Sequence, residues 1–259
     1  MTQYGLRFGG IGRLYSKAGL ERLRRAHVCV IGIGGVGSWA VEALARSGIG
    51  QLTLIDLDDV CVSNVNRQIH ALDGQINNLK VSVMAERAKA INPEIEVNSV
   101  EAFLTRSNAA KLLEPDYDFV FDAIDSPREK CVIISHCRER GLPVVTAGGA
   151  GGRRDPTRIR VDDVARSEGD RLLQSVRKSL RSDYGFPRNG RMFGVDCVYS
   201  NEPPVFPQKD GTVCTTRDSE ADLRLDCRSG FGTATFVTGT FGFVAASRIV
   251  ERLTRNASD

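Results

Sequence analysis

From residue 27 to 147 the chain switches repeatedly between the hydrophobic periods of strand and helix. Val28, Val30 and Ile31 form a short β-branched run suited to a buried strand. From Val36 the apolar positions take helical spacing through Trp39, Ala40, Ala43 and Leu44, and Gly48 follows where a C′ residue belongs. Leu52, Leu54 and Ile55 predict a second strand, closed by Asp56. A turn over 74–78 leads into a helix whose inner stripe is Val81, Met84, Ala88 and Ile91, ended by Asn92-Pro93. Further strands are predicted over 95–100, 119–124 and 142–146. Between the last two, Ser126-Pro127-Arg128-Glu129 reads as a helix start: Ser as N-cap, Pro at the first position, Glu closing a capping box. That helix continues through Val132, Ile133 and Cys137 to Gly141. Regular alternation of strand and helix predicts an α/β fold with a parallel sheet.

The flanks read differently. The N-terminal arm, to about residue 12, carries Arg7, Phe8 and several glycines and reads as an ordered extension. Ser16 can cap a helix running through Leu20 and Leu23 to Arg25. Beyond 150, a helix is expected around 172–180, a strand over 195–200 and a proline-containing surface loop over 202–212. Residues 229–247 carry no charge, no Leu and no Ile, but many Gly and Thr. That is poor material for a bilayer and suits a buried core or dimer-interface helix reaching about Leu253. The expected organisation is one domain over 1–259: an α/β core, 27–150, and an extension, 151–259, adding strands and a buried helix.

Composition changes the picture only locally. A formal charge of +3 on 259 residues proves nothing about nucleic acid. Residues 153–191, however, hold eleven Lys/Arg against six Asp/Glu, so this segment is the basic part of the chain. It is either a solvated helix face with loops or a contact for an anionic partner. The seven cysteines are odd in number, scattered, and never spaced C-x-x-C, and no apolar signal region opens the chain. Reduced thiols, a cytoplasmic location and no ribbon-type zinc site follow as expectations. Cys197 and Cys214 could be sulfur or acyl carriers, although buried structural cysteine is the commoner case. His27, His70 and His136 are too isolated for a metal site.

The candidate chemistry starts between the first strand and helix. Gly32, Gly34, Gly35 and Gly37 include the spacing G-x-G-x-x-G, which gives a tight turn, a close backbone approach and helix N–H groups facing a phosphate. Asp56 closes the second strand roughly where an acid meets a ribose hydroxyl. A dehydrogenase is the default owner of such a fingerprint. Arg67 and Lys80 behind it, with Asp125 ending a later strand, point instead to ATP: Arg and Lys suit phosphate oxygens, and an Asp suits Mg²⁺.

The run GIGGVGSWAVEALARSGIGQLTLID, followed by D-x-D, S-N-x-x-R-Q, a downstream Lys and D-A-I-D, resembles the ubiquitin-activating-enzyme-like superfamily, which includes the molybdopterin and thiamine adenylyltransferases. TAGGAGG, GVDCVYSNE, DGTVC and CRSGFGTATFVTGTFGFVA further resemble its tRNA threonylcarbamoyladenosine dehydratase branch over nearly the whole chain. The resemblance implies a Rossmann-like, doubly wound, mostly parallel sheet. It implies that Gly32, Gly34, Gly35 and Gly37 line an ATP site, that Asp56 holds the ribose with Asp58 also binding the cofactor, and that Asn64, Arg67 and Lys80 meet the phosphates. Asp125 would serve Mg²⁺ or the attacking group. Arg13 would be the N-terminal arginine reaching the triphosphate, often from the other subunit; the usual R-Y-x-R spacing is replaced here by Arg7-Phe8-Gly9-Gly10-Ile11-Gly12-Arg13. The implied reaction is ATP-dependent cyclisation of a threonylcarbamoyl group on tRNA, through an acyl adenylate, by a homodimer. The alternative in the same superfamily is adenylylation of the C-terminal glycine of a sulfur-carrier protein, and a sulfur-transfer partner would go with it. The paired zinc cysteines of the adenylyltransferases are absent, which fits the dehydratase branch.

Overall fold

A computed structural model describes residues 2–208, 210–216 and 231–255. Its elements are α1 (Gln3–Arg25), β1 (His27–Ile31), α2 (Gly37–Arg46), β2 (Gln51–Asp56), α3 (Lys80–Ile91), β3 (Glu96–Glu101), α4 (Ala109–Leu112), β4 (Phe119–Asp122) and α5 (Pro127–Glu139). There follow β5 (Val144–Ala147), β6 (Ile159–Asp163), α6 (Arg171–Asp183), β7 (Asp196–Ser200), β8 (Phe206–Pro207), β9 (Val213–Cys214) and α7 (Thr235–Thr254). Seven strands form one sheet in the order β3-β2-β1-β4-β5-β7-β6, and β6 alone runs antiparallel to its neighbour. The α/β, doubly wound, mostly parallel architecture expected from the sequence is the one observed.

Strand alternation builds the two layers. In β1, Val28 and Val30 pack with α1, α2, α3 and α7, while Cys29 and Ile31 pack with α4, α5 and α6 on the opposite face. β4 repeats this, with Phe119 and Phe121 on the first face and Val120 on the second. Strand order reverses at β1, which pairs with β2 on one side and β4 on the other. Crevices form beyond the carboxyl ends of strands at such a switch point.

From Thr235 on, the uncharged C-terminal segment is a core helix. α7 buries Val237, Phe241, Ala245 and Ile249 against α2 and the sheet, each large side chain contributing roughly 1.5–3 kcal/mol. Its small residues reflect a close helix approach: a Cβ at Gly242 would stand 2.6 Å from the Val36 carbonyl oxygen and 2.8 Å from the Ala40 nitrogen. Gly239 packs under the Trp39 ring. Among the described residues no helix is long and apolar enough to cross a membrane. Residues 229 and 230, and Cys227 at the head of that motif, lie outside the described residues.

Several local expectations change. The glycine-containing arm is helical, forming the first part of α1, with Tyr4 and Phe8 buried and Thr2 accepting the Gly5 amide. Packing supplies what glycine propensity withholds. Ser16 breaks the helix at φ 68° and its hydroxyl accepts the Gly19 amide, so it caps the second part as expected. β4 ends at Asp122 rather than running to 124, because the Asp122 carboxylate accepts the Ile124 amide and turns the chain. The capping box at Ser126 does not form: the hydroxyl donates to the Glu129 carboxylate instead. The 202–212 loop contributes β8, which pairs with β9 in a small hairpin. The antiparallel β6 was not foreseen.

Candidate functional site

The first wall of the site is the β1–α2 turn. Gly32 takes φ +89° and its amide donates to the Ile55 carbonyl at 2.9 Å. A side chain at Gly37 would place Cβ 1.8 Å from the Gly32 carbonyl oxygen, so the turn can close only on glycine. Asp56, at the end of β2, accepts the Ile33 amide at 2.6 Å on one oxygen and the Asp58 amide at 2.9 Å on the other. Its carboxylate locks the glycine turn to β2 and retains lone pairs for a further donor.

The polar run after β2 forms the second wall. Lys80, the buried first residue of α3, reaches back to Asp58 with Nζ–Oδ2 2.7 Å. Asn64 is buried and accepts the Cys61 amide at 3.0 Å. Arg67 donates to the Ser63 carbonyl at 2.6 Å and to Asn66 Oδ1 at 3.0 Å. The loop is strapped from outside: the Arg67 carbonyl accepts Trp39 Nε1 at 3.0 Å and the Thr238 hydroxyl at 3.3 Å. Asn66 Nδ2 donates to the Thr233 carbonyl at 2.9 Å, and the Thr235 hydroxyl donates to the Asn66 carbonyl. α7 therefore holds the loop that carries Arg67.

Gly32, Gly34, Gly35, Asp56, Asp58, Asn64, Arg67, Lys80 and Asp125 all line one cleft of about 1130 Å³. Gly37 does not line the cleft; it lies beneath, closing the turn. Arg13 is not among the lining residues; it is exposed on α1, with its guanidinium near Gly9 and Gly10 of its own helix. Asp125 is exposed at the cleft wall, after the turn that ends β4.

Sequence reasoning missed three features. Phe103, Leu104 and Thr105, just after β3, close one end of the cleft. Below Asp125 lies a fully buried ion pair, Lys130 Nζ–Asp122 Oδ1 3.1 Å, with both side chains at 0% exposure. Thr146 completes it, accepting from Lys130 at 3.0 Å and donating to Asp122 at 2.7 Å. The signal was present: Lys130 precedes Ile133, Ile134 and Cys137 at helical spacing, on an apolar stripe. Third, the exit of β5 adds Gly148–Ala150, Gly151, Arg153, Asp170 and Leu172 to the lining. Asp170 caps α6 by accepting the Leu173 amide at 2.9 Å and also takes the Gly149 amide at 2.9 Å. Burial pushes its carboxyl pKa up, opposed by those amides and by Arg153.

The cysteines are not an obvious carrier set. The six described ones are free; Cys197 is buried, and burial pushes its thiol pKa up, away from the reactive thiolate. Cys214 is exposed on the hairpin rather than buried, and the Thr216 amide donating to its sulfur at 3.4 Å lowers its pKa. Among the described residues no three His, Cys, Asp or Glu side chains gather as a metal cluster. Mg²⁺ is commonly held by one or two carboxylates together with substrate phosphates, and the exposed carboxylate of Asp125 on the cleft wall fits that mode. Part of the basic segment forms a separate groove of about 600 Å³ along α6, lined by Arg177, Lys178, Arg181 and Arg188.

Residues 11–259 match the ThiF family. The chain is 52% identical over 254 residues to the tRNA threonylcarbamoyladenosine dehydratase of Escherichia coli K12, covering 97% of this chain and 95% of that one. It is similar to a crystal structure of the E. coli tRNA N6-threonylcarbamoyladenosine dehydratase in complex with ATP, with TM-score 0.86, 48% identity and 96% and 94% of the two chains covered. The corresponding AMP complex superposes with TM-score 0.87 at 48% identity, covering 98% and 97%.

Proposed function

The chain belongs to the ThiF family, and we propose that it is an ATP-dependent tRNA threonylcarbamoyladenosine dehydratase. The observation that carries this reading is the cleft itself: a glycine turn locked by Asp56, with Lys80, Arg67 and Asp125 on its walls, in a chain similar from end to end to a dehydratase seen with ATP.

A carboxylate is a poor electrophile, because its leaving group would be oxide. A threonyl carboxylate oxygen attacks the ATP α-phosphorus, the bond to the bridging oxygen breaks, and pyrophosphate leaves. The resulting acyl adenylate has AMP as its leaving group. The carbamoyl oxygen of the same modified adenosine then attacks the acyl carbon, AMP departs, a carbamoyl nitrogen loses its proton, and a five-membered ring closes. The net change in the nucleoside is loss of water. Ring closure is intramolecular, so no nucleophile from the protein is required, and the protein's work is positioning and charge neutralisation.

In this reading the turn amides and Asn64 hold the phosphates, Asp56 takes a ribose hydroxyl, and Arg67 and Lys80 offset phosphate charge. Asp125 would hold Mg²⁺, which supplies Lewis-acid polarisation of phosphate oxygens. Arg13 would reach the triphosphate only from a second copy of the chain, which its exposed place on α1 allows. A homodimer is supported by Phe236 and Phe243, both exposed on α7. The basic groove on α6 would meet tRNA phosphates, and a cytoplasmic setting fits such a substrate.

Purified protein incubated with threonylcarbamoylated tRNA, ATP and Mg²⁺, followed by mild digestion and nucleoside mass spectrometry, is expected to yield the nucleoside short of one water. An unchanged nucleoside from protein that binds ATP would refute the assignment.

A further inference from the structure

The cleft has two ends, and the nucleotide chemistry described above uses only one. The glycine turn, Asp56, Arg67 and Lys80 sit beyond β1 and β2, Asp125 sits beyond β4, and the far end lies beyond β5. That far end holds an arginine with an unusual hydrogen-bond balance. Arg153 is 5% exposed, and its Nη2 donates to the Gly169 carbonyl at 3.0 Å. Its Nε and Nη1 are buried and have no partner.

The nearby acids, Asp170 and Glu202, offset the charge of Arg153 through space but take no hydrogen bond from it. Asp170 gives its oxygens to the Gly149 and Leu173 amides, and one Glu202 oxygen takes the Arg154 and Asp155 amides, both at 2.9 Å. Among the described residues Arg153 makes no ion pair. By contrast, Lys80 is paired with Asp58, and Arg67 donates to Ser63 and Asn66. A buried guanidinium with open donors is costly unless an anion completes it. The folded protein holds that cost at the wall of the cleft.

Resting on the functional reading above, we propose that Arg153 anchors the threonyl carboxylate of the substrate, holding one oxygen while the other faces the α-phosphorus near Asp125. A backbone phosphate of a folded tRNA lies on the tRNA surface between sugars and suits an exposed cation. A carboxylate at the tip of a short arm on a base can enter far enough to meet a side chain as buried as this one. Arg suits the task because its fixed fork matches carboxylate geometry. The same guanidinium also lies beside the acyl oxygen when the carbamoyl oxygen attacks, where a fixed donor stabilises developing negative charge.

The test compares the wild type with Arg153→Gln and Arg153→Lys. Binding of ATP is measured by calorimetry, and binding of two tRNAs, one threonylcarbamoylated and one with plain adenosine, by fluorescence anisotropy. The wild type is expected to prefer the modified tRNA about 10- to 100-fold, the range for a charge-assisted contact. Arg153→Gln is expected to lose that preference, to bind plain tRNA as before, to keep its ATP Kd within about twofold, and to drop kcat/KM for dehydration by about 100-fold. Arg153→Lys should recover part of the preference. Equal loss on both tRNAs would mean a phosphate contact, and a parallel loss of ATP affinity would mean a structural role; either overturns the proposal. So would an unchanged preference in the variants. If the variants do not fold, a wild type that binds both tRNAs alike overturns it. A wild type that never dehydrates the tRNA defeats the functional reading instead, which the wild-type reaction reveals separately.

Discussion

Lys130→Met tests how the turn presenting Asp125 is supported. The ammonium, the Asp122 carboxylate and the Thr146 hydroxyl form a closed set at 0% exposure for both charged side chains, with contacts of 3.1, 3.0 and 2.7 Å. Removing the cation leaves a carboxylate buried without its countercharge, a loss of about 3–5 kcal/mol. At about 2–4 °C per kcal/mol for a chain of this size, the melting temperature should fall by roughly 6–20 °C. Asp122 also accepts the Ile124 amide at 3.3 Å, so the turn before Asp125 should loosen and dehydration should slow. The pair is not expected to be a net source of stability. Asp122→Asn combined with Lys130→Met removes both charges and should recover more than half of the loss, giving a coupling of at least about 2 kcal/mol. Urea unfolding followed by circular dichroism on the wild type, both single variants and the double variant measures this cycle. Lys130→Met within about 1 kcal/mol of the wild type, or single effects that simply add, would refute the reasoning.

Lys80→Met removes the cation paired with Asp58 and should cut kcat/KM for ATP by about 10²–10³-fold in a pyrophosphate-exchange assay, with far-ultraviolet circular dichroism unchanged. Trp39→Phe deletes the indole donor on the Arg67 carbonyl; about 1 kcal/mol should be lost, read as a rise in ATP Kd of roughly fivefold. Gly242→Ala forces a methyl against the Val36 carbonyl and should lower the unfolding free energy by about 1–3 kcal/mol, despite alanine's better helix propensity, so a stabilised variant would contradict the packing account. Burial, with Lys80 and Arg87 nearby, lowers the His70 pKa from 6.5 to about 4. The unfolded chain then binds the extra proton below pH 6.5, so this contribution is intact above that pH and is lost as pH falls toward 4, by up to about 1.4 kcal/mol per unit. Urea midpoints at pH 7 and pH 5 should separate less in His70→Leu than in the wild type, and an equal separation would exclude His70 as the source.

What the sequence discloses depends on how locally each feature is determined. Gly32, Gly37 and Asp56 were legible because a turn that closes within a few residues demands glycine, and the acid follows on the next strand. β1 was legible because a β-branched run is a local property, while its two packed faces show only in the structure. Lys130 and Arg153 were not singled out. A charge declares burial only through its neighbours in space, and Arg153 reads as one of eleven basic residues in a polar segment. The arm of α1 was missed for the opposite reason: its glycines argue against a helix, and burial of Tyr4 and Phe8 overrides them. β6 was missed because its burial is partial and its partner, β7, comes more than thirty residues later.

The strap from α7 to the Arg67 loop sets an order on biosynthesis. The glycine turn, Asp56, Arg67 and Lys80 all emerge in the first third of translation, yet the threonines that fix the loop belong to residues 233–238. A nascent chain stopped before that helix would have the glycine turn, Arg67 and Lys80 already made, and a slack loop to carry Arg67. Affinity for ATP should therefore appear late, as the last helix settles against α2, and the ability to bind nucleotide would report that the final helix has docked.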